Sequence, residues 1–280
     1  MHTLWQFAIE IFRLTVWLAI LVALFAPLEW LFGARPRKGL RDGIASDLGF
    51  YFLSSLVPGV LLGAPMAAIA LVLNQVIPDD FRAWTAGLPL GVRLAAVLVV
   101  GEIGFYWGHR LSHQIPLLWR FHRVHHGAET LDWLINTRAH PVDMVFTRLC
   151  GLIPLYALGL AQPLGQSGSL APILLLLVGT LWGFFIHANL RWRLGPLEWL
   201  LSTPHFHHWH HSRIDHIDHN YASMLPWLDR LFGTHHQPRA WPAEYGLAEP
   251  IRGGLVTQLI DPFSVPAAVP RPGAAIAPEG

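Results

Sequence analysis

The sequence predicts an all-α integral membrane protein with about four to five spanning helices and a histidine-rich helical cap on the cytoplasmic side. The first observation is composition: 53% of the 280 residues are hydrophobic and only 13% are charged. The second is a set of long apolar segments, and the third is that nine of the 17 histidines fall into four short patterns. Such a composition indicates that the bilayer, and not water, surrounds most of the chain.

Charge and cysteine content exclude several classes of protein. The formal net charge is +1, and Lys and Arg are spread among apolar segments, so nucleic-acid binding is not expected. A single cysteine, Cys150, excludes an internal disulfide and any multi-cysteine zinc or iron–sulfur site. Metal chemistry in this chain would therefore depend on nitrogen and oxygen ligands.

The predicted spans begin with residues 11–32, which as a helix reach roughly 33 Å, enough to cross a hydrocarbon core. This segment lacks a basic start and a small-residue cleavage site, so we expect a retained helix and not a signal peptide. A second segment, residues 48–74, contains Pro58 and Gly59 and is expected either to kink or to re-enter the membrane. The remaining spans are predicted at residues 88–107, 142–161 and 170–188.

Basic residues are concentrated in alternate loops of this arrangement. The loops after the first, third and fifth spans contain Arg35, Arg37, Lys38, Arg41, Arg110, Arg120, Arg123, Arg138, Arg191, Arg193 and Arg213, whereas the opposite loops offer only Arg82. Since Lys and Arg are retained on the cytoplasmic side, five spans with an external N-terminus are predicted. All four histidine patterns then lie at the cytoplasmic face.

The four histidine patterns have the spacing of metal ligands. They are H-x3-H at His109 and His113, H-x2-H-H at His122, His125 and His126, the lone His187 at the end of the fifth span, and H-x2-H-H again at His207, His210 and His211. Residues three and four apart share a helix face, so each cluster is expected to aim its imidazoles at one point. The repeated cluster predicts two metals or one shared centre, and imidazole without cysteine suits iron, zinc, copper or nickel. The alternative, that these histidines are polar ends of interfacial helices, explains one of them more easily than all nine.

Other polar residues are assigned smaller roles. His140 is predicted to be either an extra ligand or a group that supports one, whereas His205 and His208 are expected to bond outside the centre. A polar segment is expected to hold His216, His219, His235 and His236. Candidates to accept protons from ligand imidazoles are Asp132, Asp143, Asp215, Asp218 and Asn220. Glu102 lies within an apolar helix, which indicates either a functional task or an ion pair with an arginine.

The chemistry expected of such a centre is redox chemistry. Zinc hydrolysis needs only three protein ligands and an open position, fewer than the nine or ten imidazoles available here. Two histidine-bound irons beside a bilayer suit the oxidation of an unactivated C–H bond, and a groove between apolar helices would bind the lipid and exclude water.

The histidine region resembles the fatty acid hydroxylase and sterol desaturase superfamily. The resemblance rests on YWGHRLSHQIPLLWRFHRVHH, HPVD, HAN, TPHFHHWHHSR and NYASMLPWLDRLFGT, and covers about Gly101 to Gly246. It implies a membrane-bound, O2-dependent oxidoreductase with two Fe ions that hydroxylates or desaturates a lipid. The eight family histidines would be His109, His113, His122, His125, His126, His207, His210 and His211, and His187 stands where relatives supply further ligands.

The chain is predicted to comprise membrane helices in residues 1–100, a catalytic region with two further spans in residues 101–246, and a loose Pro/Ala-rich tail in residues 247–280. No G-x-G-x-x-G or C-x-x-C-H motif is present, so electrons are expected from an external reductase or small redox carrier. Two other functions stay open. A metal transporter would place ionisable residues along the depth of its spans, and a haem electron-transfer protein would pair histidines inside neighbouring helices.

Overall fold

The structure is a computed structural model that describes residues 2–36, 39–161, 171–213 and 216–264, with no side-chain placement for residues 2, 3 and 171–176. Regular structure within these ranges is helical, as predicted, apart from an isolated bridge between Ser212 and Tyr245. The helices are α1 (His2–Phe32), α2 (Ile44–Leu61), α3 (Gly63–Val76), α4 (Asp79–Ala86), α5 (Leu90–Gln114), α6 (Pro116–His126), α7 (Pro141–Ala157), α8 (Ala171–His187), α9 (Pro204–His210), α10 (Trp227–Leu231) and α11 (Leu255–Ser264). Two short 3₁₀ helices cover Trp133–Thr137 and Gly195–Trp199.

Three described segments are long and apolar enough to cross a membrane. They are Leu4–Phe32 in α1, Ile44–Val76 across α2 and α3, and Leu90–Gln114 in α5. The predicted fourth and fifth spans form α7 and α8, each 17 residues long, at the short limit for a helix that crosses a bilayer. The predicted membrane class is therefore confirmed, with three full-length segments and, among the described residues, one shorter apolar helix at Leu177–His187.

The second apolar segment is interrupted at Leu62, between α2 and α3. Leu62 lies between α2 and α3 with φ −80° and ψ −21°, which is right-handed helical geometry. The amide of Leu62 donates to Pro58 O and the amide of Met66 donates to Leu62 O, both at 2.9 Å. Pro65 has no N–H to donate to the preceding turn, which explains an interruption at this point. Because helical bonding continues through the junction, the chain keeps its direction, and of the two expected outcomes the structure does not favour re-entry.

The apolar helices alternate in direction, so that one end of the molecule gathers five helix ends. At this end Arg191 N donates to Phe32 O (3.0 Å), which joins α8 to α1. Ser112 of α5 donates to Asp143 of α7 (3.2 Å). Arg138, two residues before the N-cap of α7, pairs with Asp47 of α2. All four histidine patterns belong to this end, as the alternation of predicted spans requires.

Two glycines let α5 and α7 approach each other closely. A Cβ placed on Gly104 would overlap the carbonyl of Cys150, and a Cβ on Gly108 would lie 2.7 Å from Cys150 Cβ. This small-xxx-small spacing is typical of membrane helices in contact. The contact fixes α7, with Asp143 in its first turn, against the histidine-bearing end of α5.

The C-terminal region differs from the prediction of a loose tail from residue 247. Leu247 and Ile251 are buried, and Leu255 and Leu259 of α11 pack with them against Phe50 and Trp119. An ion pair of 3.3 Å between Arg123 and Asp261 ties α11 to α6. The Pro and Gly content of this region suggested disorder, whereas its spaced leucines provide an apolar face. Residues 265–280 lie outside the described residues.

Replacing Gly104 by Ala is expected to destabilise the protein by about 1–3 kcal/mol, because the new methyl group overlaps the backbone of α7. The matched control is Gly91→Ala in the same helix, where a Cβ meets no atom within 4 Å and the gain in helix propensity is about 1 kcal/mol or less. Thermal unfolding of the purified protein in detergent measures both. Equal unfolding temperatures for the two variants would contradict this packing.

Candidate metal centre

The nine histidines predicted as principal ligands are all buried and lie in two adjacent groups. The five-histidine group consists of His109, His113, His122, His126 and His210. The four-histidine group consists of His125, His187, His207 and His211. Within each group, every residue offers a ring nitrogen within 4.8 Å of those of the others. The groups touch, since the rings of His126 and His211 stack at 4.6 Å.

The expectation that each sequence cluster aims at one point is wrong for both H-x2-H-H clusters. His122 and His126 belong to the five-histidine group, but His125 between them belongs to the four-histidine group. The second cluster is divided in the opposite sense, because His207 and His211 join the four-histidine group and His210 joins the other. Residues four apart on a helix differ by only about 40° in direction, whereas the intervening residue points about 60–100° away. Each cluster therefore contributes to both groups.

Four helices bring these side chains together. His109 and His113 lie on the last turns of α5, and α6 follows at once because Pro116 begins a new helix at its first turn. His187 is the last residue of α8. At the start of α9, Thr203 is the N-cap, its side chain accepts from Phe206 N, and Pro204 is the first helical residue.

Hydrogen bonds fix the orientation of six of the nine rings. Nδ1 donates to a backbone carbonyl in His109 (Tyr221 O, 2.7 Å), His125 (Arg138 O, 2.9 Å), His187 (Gly183 O, 2.7 Å) and His210 (His219 O, 2.7 Å). It lies beside a carboxylate in His122 (Asp143, 3.0 Å) and His113 (Asp218, 3.1 Å). Because carbonyls and carboxylates only accept, Nδ1 of each ring carries the proton and Nε2 of the neutral ring is left with a lone pair.

These lone pairs face one another. His109 Nε2 lies 3.2 Å from His122 Nε2, and His125 Nε2 lies 3.2 Å from His187 Nε2. Two lone pairs at this distance repel unless a cation lies between them. Metal–nitrogen bonds of about 2.0–2.1 Å place neighbouring ligand nitrogens of a tetrahedral or octahedral site roughly 2.8–3.4 Å apart. The residues present therefore fit two metal ions, one in each group.

Protonated histidines explain the arrangement less well than bound metal ions do. Burial, followed by repulsion from neighbouring imidazoles, lowers the pKa of His126, His207 and His211 well below the ordinary histidine value. Five ring nitrogens are also buried without a hydrogen-bond partner among the described residues: His113 Nε2, His210 Nε2 and Nδ1 of His126, His207 and His211. An unpartnered buried polar atom costs about 1–3 kcal/mol, a penalty that metal ligation removes for a nitrogen that faces the ion.

The carboxylates expected to support the ligands divide into two classes. Asp143 and Asp218 do contact ligand imidazoles, whereas Asp132 pairs with Arg41 and Asn220 bonds to the backbone of Phe206 and His236. The fifth candidate, Asp215, lies outside the described residues. Asp143 is itself held by Ser112 (3.2 Å), which makes His122 part of a buried chain of bonds.

A buried network of two aspartates and two arginines supports His125 and was missed by the sequence analysis. Arg41 contacts Asp132 (2.6 Å) and Asp47 (2.5 Å), and Arg138 contacts Asp47 (3.2 Å). Arg138 also provides the carbonyl that accepts from His125. The available signal was Asp47 in the first turn of an apolar segment, since a carboxylate there requires a buried partner. The N-terminal helices therefore help to form the centre.

The remaining predicted groups lie outside both histidine groups. His140 does not join them: its Nδ1 accepts from Val142 N as the N-cap of α7, and its Nε2 lies 3.2 Å from Leu259 O. His208 and His205 bond outside the centre, as expected. His208 contacts the hydroxyl of Tyr245 and Ala188 O, and His205 contacts Ala240 O. Glu102 forms no ion pair with an arginine among the described residues, and its carboxylate accepts from the amides of Met224 and Leu225.

Comparison with known proteins agrees with this geometry. The model of the fatty acid hydroxylase family matches residues 94–234. The chain is 33% identical to an ornithine lipid hydroxylase of Rhizobium tropici, over 87% of this chain and 73% of the relative. It is 30% identical to an alkylglycerol monooxygenase of Xenopus tropicalis, over 90% of this chain and 52% of the relative. A methylsterol monooxygenase of Arabidopsis thaliana is 29% identical over 49% of each chain. No solved structure matches this chain.

Replacing Asp143 by Asn is expected to lower metal affinity about 10–100-fold, because His122 loses the carboxylate that fixes its orientation. Asp79→Asn, on the exposed first turn of α4, is the matched control and should retain metal like the parent protein. Metal per chain, measured after dialysis against increasing chelator, separates the two. Equal retention in both variants would show that Asp143 does not support a ligand.

Replacing Asp47 by Asn is expected to destabilise the protein by about 3–5 kcal/mol, since Arg41 and Arg138 lose a shared buried partner. Asp42→Asn, five residues earlier and exposed, is the control and should change stability little. Unfolding monitored by circular dichroism in detergent measures the difference. A stable Asp47→Asn protein would show that the network does not support the fold.

Proposed function

Because this chain belongs to the fatty acid hydroxylase family, we propose that it is a membrane-embedded monooxygenase whose nine buried histidines hold two iron ions and whose substrate is a C–H bond of a membrane lipid. The observation that supports the metal assignment most strongly is the pair of imidazole contacts, His109–His122 and His125–His187, in which lone pairs face each other. Histidine nitrogen alone accepts several divalent metals, so the choice of iron rests on the family.

In this proposal the five-histidine group and the four-histidine group each hold one ion. When bound, the iron pair supplies dioxygen binding and oxidising power, which the side chains of this chain lack. Insertion of one oxygen atom into a C–H bond consumes O2, two electrons and two protons, and yields a hydroxyl group and one water. The electrons come from an external reductase or small redox carrier.

The chain's own residues orient the ligands and keep them neutral. Backbone carbonyls of Tyr221, Arg138 and Gly183 hold protons on Nδ1, so the opposite ring nitrogens stay available as ligands. Asp143 and Asp218 are the carboxylates that contact ligand rings and so offset part of the positive charge of two metal ions. Burial of all nine histidines, none more than 8% exposed, keeps bulk water away from the oxidising centre.

The substrate is proposed to be a polar lipid with a long hydrocarbon chain. The centre lies at the ends of the membrane-crossing helices, so a chain dissolved in the bilayer has a short route to it. The relatives that cover most of this chain are named for ornithine lipid and alkylglycerol, and both are lipids with a polar head and long chains. The alkylglycerol monooxygenases are about twice as long as the matched region.

The histidine end is proposed to face the cytoplasm. Arg41, Arg123 and Arg138 lie at that end, whereas Arg82 lies beyond α3 at the other end. A transporter role has no support, because the candidate ligands gather at one end of the helices and do not line them.

The test of this proposal combines metal analysis of the purified protein with lipid mass spectrometry of expressing cells. About two irons per chain and an oxygen-dependent product, heavier than its precursor by one oxygen atom, are expected. His125→Ala removes a member of the four-histidine group, so its metal content should fall toward one ion per chain and the product should disappear.

His140→Ala is the matched control, because His140 belongs to neither group although it lies in the same region. Its metal content should stay at two ions per chain, with at most about 1 kcal/mol of stability lost with the N-cap. Equal metal content in His125→Ala and the parent protein would contradict the assignment of ligands.

A further inference from the structure

We propose that an open cavity between the 3₁₀ helix Gly195–Trp199 and α10 binds the phosphate group of a membrane phospholipid. We call it the interfacial cavity; its volume is about 430 Å³, and it is lined by Arg193, Gly195, Glu198, Trp199, Arg230, His235 and Gln237. The lipid chains would lie against an apolar rim formed by Leu197, Trp199, Leu200 and Leu231. This site is separate from the histidine groups, and its function as a lipid site does not depend on bound metal.

Two contacts with apolar helices fix the position of the cavity relative to the bilayer. Glu102 of α5 accepts from the amides of Met224 and Leu225, just before α10. Glu102 precedes His109 by seven residues, which is about 10 Å along a helix, and it lies inside the membrane-crossing segment. On the other side, Trp182 of α8 donates to Ser202, just after the 3₁₀ helix (2.9 Å). Both walls of the cavity are thus held beside the parts of α5 and α8 that enter the bilayer.

The apolar rim extends away from the protein. Leu197 is 54% exposed, Trp199 65%, Leu200 60% and Leu231 66%. Four large apolar side chains exposed to water are unfavourable, because their surface is more stable in an apolar environment. A tryptophan among leucines, at the depth where the membrane helices end, is typical of the interface between lipid headgroups and acyl chains. The rim therefore indicates a lipid environment.

Arg230 supplies a cation suited to phosphate. Its guanidinium donates to two backbone carbonyls, Glu198 O (3.2 Å) and Trp199 O (3.5 Å), and lies 4.3 Å from the centre of the Trp199 ring. The neighbouring carboxylate of Asp229 is turned inward to the amides of Tyr221 and Ala222. No ion pair with a carboxylate is formed by Arg230 within the described part of the chain. Guanidinium groups in this state bind phosphate oxygens through charge-assisted hydrogen bonds.

The charge of the lining matches one phosphodiester. Glu198 is neutralised by Arg193 (3.0 Å) and also accepts from Leu194 N and from Gln237 (3.1 Å). Arg193 and Arg230 are the two cations of the lining and Glu198 is its carboxylate, which leaves one net positive charge, while His235 is a neutral group whose pKa is lowered by burial. Arg230 also interacts electrostatically with Glu198 and with Asp229, which lies outside the lining. One phosphodiester carries one negative charge, so a phospholipid bound here would balance the cavity. A sterol or a neutral glyceride would not.

The experiment measures lipid binding by native mass spectrometry of the full chain in an uncharged detergent. The probe is dihexanoyl phosphatidylglycerol, compared with dihexanoylglycerol, which has the same chains but no phosphate, and with inorganic phosphate, which has no chains. We expect the phospholipid to bind with the highest affinity of the three. Arg230→Gln should weaken its binding about tenfold, the effect of one lost charge-assisted hydrogen bond.

The matched control is Arg252→Gln, which removes the same charge from an exposed position beside α11 and should leave phospholipid binding unchanged. Trp199→Ala tests the apolar rim. It should weaken the binding of phospholipid and leave any binding of inorganic phosphate unchanged. Helical content by circular dichroism verifies that each variant is folded. Equal binding of phospholipid by Arg230→Gln and the parent protein, or equal binding of dihexanoylglycerol, would overturn the proposal. Binding of inorganic phosphate as strong as that of phospholipid would overturn the lipid assignment.

Discussion

The structure depends on nine buried, neutral imidazoles whose lone pairs converge inside the protein. Within each group, ring nitrogens of neighbouring histidines lie 3.0–3.2 Å apart, and carbonyls or carboxylates already hold the proton on the far side of six rings. Without cations, such a centre would combine lone-pair repulsion with several unpartnered buried nitrogens. The surrounding fold must supply enough stability to hold the rings in place, and metal ions would remove much of the penalty.

The helices contribute to this centre at several levels. The glycine contact between α5 and α7 places Asp143 within reach of His122, while the Arg41, Asp47, Asp132 and Arg138 network fixes the carbonyl that holds His125. Glu29 of α1 accepts from the amides of Trp133 and Asn189, the second of which lies two residues after His187. Parts of the chain outside the region matched by the family model therefore form the walls of the site. This arrangement makes the apolar helices more than an anchor.

Much of this was predictable from the sequence. Hydropathy predicted the helical membrane class, and histidine spacing predicted eight of the nine residues that converge, because both signals are local along the chain. The ninth, His187, was predicted from its position at the end of the fifth span. The division of each H-x2-H-H cluster between two groups was not predicted, since it depends on how α6 and α9 face each other. His140 had a plausible position near the clusters, yet its ring serves as a helix cap. The partners of Asp132, Asn220 and Glu102 also depend on long-range contacts that no local pattern encodes.

Anomalous X-ray diffraction at the iron absorption edge, on crystals of protein purified with iron, measures the centre most directly. Two anomalous peaks are expected, one within bonding distance of the nitrogens of the five-histidine group and one within the four-histidine group. His126 and His211, whose rings stack, should ligate different ions. A single peak shared by all nine histidines, or no peak among them, would contradict two separate metal sites.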